Sequence, residues 1–127
     1  LNLGSNTVSD NNATTQTDKE IDEVGGEKYV DYTNNYLTQY QNKTKILFFH
    51  ANWCPTCKAA QEDILANIDQ IPENVVIIKT DYDSQTELKN KYNITYQHTY
   101  VIVDNQGNEL KKWNGGAVEE IINNLNK

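Results

Sequence analysis

Cys54 and Cys57 are the only cysteines in a chain of 127 residues, and Pro55-Thr56 separates them. Thiols at that spacing can close a disulfide with each other and reopen it by exchange with a thiol or disulfide of another molecule. From Pro55 onward Ala60, Ile64, Leu65 and Ile68 recur at helical spacing, and proline suits a first helical turn, where an N–H would lack an intrahelical partner. Cys54 therefore stands at a helix N-terminus, where unpaired N–H groups and the positive end of the macrodipole stabilise a thiolate. The spacing assigns Cys54 as the nucleophile, and Cys57, one turn further in and more shielded, as the resolving thiol. Two other uses of the pair are weaker on physical grounds. A purely structural bond across so short a loop restricts the unfolded chain little. A structural zinc site needs four ligands, and Cys54, Cys57, His50 and His98 lack the usual second ligand pair.

Positioning such a pair takes a strand that delivers it and a sheet that buries the helix behind it. Lys45 to His50 is an apolar run too short for a helix, predicted as a buried central strand. Val75 to Ile78 is a β-branched run of the kind covered on both faces, a parallel neighbour to the first. Ahead of these, Tyr29, Val30 and Tyr32 predict a short strand, and Thr33 is expected to cap a helix over 34–41 that turns Leu37 and Tyr40 inward with Tyr36 beside them. Thr86 to Tyr92 predicts a short helix. Thr99 to Val103 and Glu109 to Trp113, joined by Asn105-Gln106-Gly107-Asn108, predict a hairpin. After Gly115-Gly116, Val118, Ile121, Ile122 and Leu125 mark a last amphipathic helix. The order is strand, helix, strand, helix, strand, helix, hairpin, helix. It predicts an α/β fold whose mixed central sheet, three parallel-type strands plus a C-terminal hairpin, lies between helices.

Composition narrows the function. The net charge is −7, of which the first 27 residues carry −5 from six acids and one lysine, so the remainder is nearly neutral. The chain has no arginine and no basic stripe, so nucleic acid is not an expected partner. No run of about twenty apolar residues could span a bilayer as a helix. Residues 1–27 are rich in Ser, Thr, Asn, Asp and Gln without hydrophobic period, and read as a disordered acidic spacer ahead of a domain over 28–127. The absence of methionine and the start at Leu1 fit a processed chain, with the spacer following an export signal or lipid anchor.

The stretch Phe49-His50-Ala51-Asn52-Trp53-Cys54-Pro55-Thr56-Cys57-Lys58 resembles the active-site segment of thioredoxin-family proteins. Lys79-Thr80-Asp81-Tyr82-Asp83, Lys91-Tyr92-Asn93-Ile94-Thr95 and the Gly107 and Gly115-Gly116 turns are similar to later family landmarks, so the resemblance runs from about Lys28 to Leu125. It implies the thioredoxin fold, no cofactor beyond a redox-active Cys54–Cys57 disulfide, and a partner surface of Trp53, Pro55, Thr56, Gln97 and Thr99. The polar leader is similar to those of bacterial secreted or lipid-anchored members. Two departures from the pattern stand out. His98 occupies the place of the family's cis-proline; a cis bond there would cost about 3 kcal/mol, so a trans peptide is expected. Beside Cys54, His98 is expected to stabilise the thiolate or shuttle its proton. Phe48 occupies the place of a buried carboxylate that assists the resolving thiol, which leaves His98, His50, Glu62, Lys79 or water to handle protons.

The expected activity is extracytoplasmic thiol–disulfide exchange at the outer face of a bacterial membrane, as a reductase rather than an oxidase. Disulfide or dithiol proteins would be its substrates, a membrane-embedded thiol carrier its electron donor, and a monomer its state. The alternative is a copper-binding protein using Cys54, Cys57 and His98, since thiolates and imidazole suit copper. The family's copper-delivery proteins, however, place three residues between their cysteines, not two.

Overall fold

The computed structural model describes residues 27–127. The expected N-terminal spacer lies outside the described residues. Strand β1 (Tyr29–Asp31) leads through a single helical turn, α1 (Tyr36–Gln39), to β2 (Thr44–His50). Helix α2 (Pro55–Ala66) and a 3₁₀ turn (Ile68–Gln70) precede β3 (Val75–Asp81) and α3 (Thr86–Lys91). The chain closes with β4 (Thr99–Val103), β5 (Glu109–Asn114) and α4 (Val118–Leu125).

The five strands form one sheet in the order β1-β3-β2-β4-β5. β1 and β2 both run parallel to β3, while β4 is antiparallel to β2 and β5 to β4. β2 is thus central, as its apolar run predicts. Because side chains alternate along a strand, β2 feeds two cores. Ile46 and Phe48 join Cys54, Cys57, Ala60, Ile64, Val118 and Ile121 under α2 and α4. Leu47 and Phe49 join Tyr36, Tyr92 and Val101 on the opposite face. The predicted order of elements and the mixed sheet hold throughout.

The main correction concerns α1, which covers four residues rather than 34–41. Thr33 does not cap it: its hydroxyl donates to Asn35 Oδ1 (2.8 Å) rather than accepting a helix N–H. Tyr36 is the buried residue, with Leu37 and Tyr40 only partly covered. The helix stops because Lys43 N–H turns back onto Tyr40 O (3.0 Å) and Thr44 N–H is taken by Asn74 O (2.8 Å), which starts β2. α2 likewise ends before Ile68. Asn67 bonds Asp63 O through both its N–H (3.1 Å) and its side-chain amide (2.9 Å), which seals the last turn.

Candidate redox site

Where β2 ends at His50, Cys54 N–H donates to Ala51 O (3.1 Å), closing the turn that carries Trp53 outward and starts α2. Cys54 is the N-cap residue of α2, in extended backbone (φ −96°, ψ 111°), with Pro55 in the first turn. Its Sγ accepts the Cys57 N–H at 3.2 Å, the geometry expected of a capping side chain. Thr56 Oγ1 lies 3.2 Å from the same sulfur. Both cysteines are free thiols, and both are covered: Cys54 is 1% exposed and Cys57 0%. Cys57 is expected to be the more shielded of the two, and the margin in exposure is small.

The two thiols differ in acidity despite similar burial. Burial pushes the Cys54 thiol up, but hydrogen bonds from Cys57, Thr56 and Gln97 outweigh it, and the net direction is down from the ordinary value of 9.0. Burial pushes the Cys57 thiol up to about 12, with the neighbouring Cys54 adding to the rise. A helix N-terminus solvates one sulfur and leaves the other in the core.

The peptide before His98 is trans, as expected, since the described residues contain no cis bond. Its backbone is left-handed (φ 64°), a conformation the sequence does not foreshadow. Hydrogen bonds from His98 N–H to Phe49 O and from Gly115 N–H to His98 O, both 2.7 Å, hold it there. The imidazole places Nδ1 3.1 Å from Thr56 Oγ1 and Nε2 2.7 Å from Gly116 O. His98 therefore meets Cys54 through Thr56.

Trp53 is 57% exposed, its indole N–H donating to the Asp83 carboxylate (2.9 Å). Pro55 and Thr56 are exposed on the first turn of α2, and Gln97 is partly buried. Thr99 is buried: its hydroxyl donates to Tyr96 O (2.7 Å) and accepts from the Asn114 amide (2.9 Å), so it ties the loop to β5. Beneath the cysteines, Phe48 is fully buried, with His50 edge-on at 5.5 Å. Burial, then Lys79, hold His50 toward its neutral form. Its Nε2 has no hydrogen-bond partner, and the ring lines a 280 Å³ pocket with Asp31, Lys79 and Asp81. Glu62 is exposed on α2.

The copper alternative does not fit this geometry. Both ring nitrogens of His98 are committed to Gly116 and Thr56, and no three His, Cys, Asp or Glu side chains among the described residues group to hold a metal ion.

The sequence profile of the thioredoxin family matches residues 27–127. The chain belongs to the thioredoxin family. It is 28% identical over 86 residues to thioredoxin H2 of Arabidopsis thaliana, covering 68% of this chain and 63% of that protein, so the match spans less than two thirds of the plant protein. Over a stretch of the same length it is 27% identical to thioredoxin-1 of Drosophila yakuba, covering 68% and 79%. Among solved structures, the fold matches reduced Schistosoma mansoni thioredoxin pre-protein with a TM-score of 0.66 at 21% identity, covering 78% of this chain and 96% of that one. It also matches Trxlp of Edwardsiella tarda at 0.61 and 22%, covering 77% and 97%. Within this thioredoxin-family domain, sequence reasoning missed the Gly116 carbonyl, which accepts from the Tyr100 hydroxyl as well as bonding His98 (2.7 Å each). A backbone acceptor leaves no residue signature; only the Gly115-Gly116 pair, both at positive φ, hints at an unusual turn there.

Proposed function

We propose that this thioredoxin-family chain is an extracytoplasmic protein-disulfide reductase. The observation that carries the exchange chemistry is the asymmetry of the pair: Cys54 Sγ receives a backbone N–H at the α2 N-terminus, while burial keeps the Cys57 thiol protonated. The Cys54 thiolate attacks one sulfur of a partner disulfide, the partner S–S bond breaks, and its second sulfur leaves as a thiolate that takes up a proton. Cys57 then loses its proton and attacks Cys54 Sγ. The partner leaves as a dithiol, and the protein keeps a Cys54–Cys57 disulfide; two electrons have passed to the partner.

Exposed Trp53 and Tyr96 (57% and 68%) lie on the loops that carry Cys54 and His98, and supply apolar surface for a protein partner. The polar, acidic composition of residues 1–27 supports a spacer at the outer face of a bacterial membrane, with a membrane-embedded thiol carrier as electron donor to a monomeric domain. Reduction of insulin disulfides by the full chain, with dithiothreitol as donor, tests the exchange. Wild type is expected to accelerate it and Cys54→Ser to fall to the uncatalysed rate; an inactive wild type overturns the reading. Equilibration with glutathione sets the direction: a potential near about −270 mV supports a reductase, and one near about −120 mV shows an oxidant instead.

A further inference from the structure

The Gly116 carbonyl can only accept, so a 2.7 Å contact to His98 Nε2 requires a proton on that nitrogen in every protonation state of the ring. The neutral imidazole therefore keeps its lone pair on Nδ1, which faces Thr56 Oγ1 at 3.1 Å. The same hydroxyl oxygen lies 3.2 Å from Cys54 Sγ. A hydroxyl has one donor and two acceptor sites. With His98 neutral, Thr56 donates to Nδ1 and accepts from the Cys54 S–H; with His98 protonated, Nδ1–H donates to Thr56 and Thr56 donates to the thiolate.

We propose that Thr56 is a catalytic proton relay between Cys54 and His98, with His98 as a base acting through it. This rests on the exchange chemistry proposed above. In one step the S–H proton passes to Oγ1 while the Oγ1 proton passes to Nδ1. S–H and O–H bonds break, O–H and N–H bonds form, and the products are a thiolate and an imidazolium joined by the reoriented hydroxyl. No electrons are transferred and no co-reactant is needed.

The left-handed backbone of His98 is what aims the ring. Its N–H and C=O are bound to Phe49 and Gly115, so the imidazole spans from Gly116 to the first turn of α2. The groups facing it are Phe48 and His50 from β2, Tyr100 from β4, the N-cap Cys54, and Thr56 and Cys57 from the first turn of α2, Cys57 meeting the His98 backbone. Phe48 and Tyr100 each place an aromatic ring 5.8 Å from the imidazole, and His50, held toward neutrality by burial, is the facing base that a titration must separate from His98.

Alkylation of Cys54 by iodoacetamide across pH, in the full-length reduced protein without a protein substrate, tests the relay. Thr56→Val keeps the side-chain shape and removes the hydroxyl; near neutral pH it is expected to react about tenfold more slowly, the weight of one hydrogen bond to a charged group. At pH above the thiol's ionisation the rates should converge, whereas a loosened or tightened loop would change the rate at every pH. Thr56→Ser should restore the wild-type profile, and Thr56→Val combined with His98→Ala should match Thr56→Val alone. An unchanged profile in Thr56→Val, or additive effects in the double variant, overturns the relay. Nitrogen NMR of neutral His98 gives a second check: the Nε2–H tautomer is expected, and the Nδ1–H tautomer overturns the proposal. Insulin reduction is measured separately, so a chain that shows the relay but reduces nothing contradicts the proposed activity and not the proton path.

Discussion

Phe48 lies face to face on Tyr100, ring centroids 4.7 Å apart and planes within 12°, in the core that also holds Cys54 and Cys57. Tyr100 continues the stack onto Trp113 at 5.1 Å, and its hydroxyl reaches Gly116 O. An aromatic column thus supports both the cysteine helix and the His98 turn from below. Cutting Phe48 back to alanine would leave a cavity in it and is expected to cost about 3–5 kcal/mol. Urea unfolding of the reduced protein measures this; a loss below about 1 kcal/mol would mean that the core closes over the gap.

Cys57→Ser should capture partners as mixed disulfides through Cys54, and Cys54→Ser should capture none. Non-reducing electrophoresis with a disulfide-bonded protein substrate reads the difference. Capture by Cys54→Ser alone would reverse the roles of the two thiols.

The reduced protein should lose stability on acidification through the Cys54 ionisation. Its folded thiol is more acidic than an ordinary cysteine, so the thiolate's contribution is fully present above the unfolded value and lost as pH falls through the folded one. Cys57, raised to about 12, adds a slope of opposite sign only as pH rises toward and above the ordinary 9.0, where the unfolded thiol ionises and the folded one does not, so the acid side of the window reads Cys54. Thermal melts of reduced wild type and Cys54→Ser should draw together as pH falls; a gap that widens with acid contradicts the sign.

Lys45 is fully buried, and its ammonium donates to Tyr40 O (3.1 Å), Lys43 O (3.0 Å) and Asn105 Oδ1 (2.7 Å). Asn105→Ala removes the one side-chain acceptor and should cost about 1.5–3 kcal/mol, the range for a hydrogen bond to a charged group. Chemical denaturation of the variant checks it. A neutral substitution would show that water replaces the amide.

The fold was readable because its signals are local and periodic. The runs at Lys45 to His50 and Val75 to Ile78 could only be covered strands, and Pro55 after Cys54 fixed where α2 begins. The α1 segment misled because its Leu37-to-Tyr40 spacing suits a helix, while the contact that ends it, Thr44 N–H to Asn74 O, joins residues thirty positions apart in the sequence. At the site, the two thiols were legible from type and spacing. The burial of Cys54, the left-handed His98 and the role of Gly116 O were not, because each depends on backbone brought together from β2, the loop before β4 and the turn before α4.

The near-complete cover over both sulfurs also bears on how the protein ages. Overoxidation of a cysteine to sulfinic or sulfonic acid needs both thiolate character and exposure to peroxide. Cys54 has the first and almost none of the second. Peroxide should therefore spend this thiolate more slowly than one of equal acidity left open to solvent.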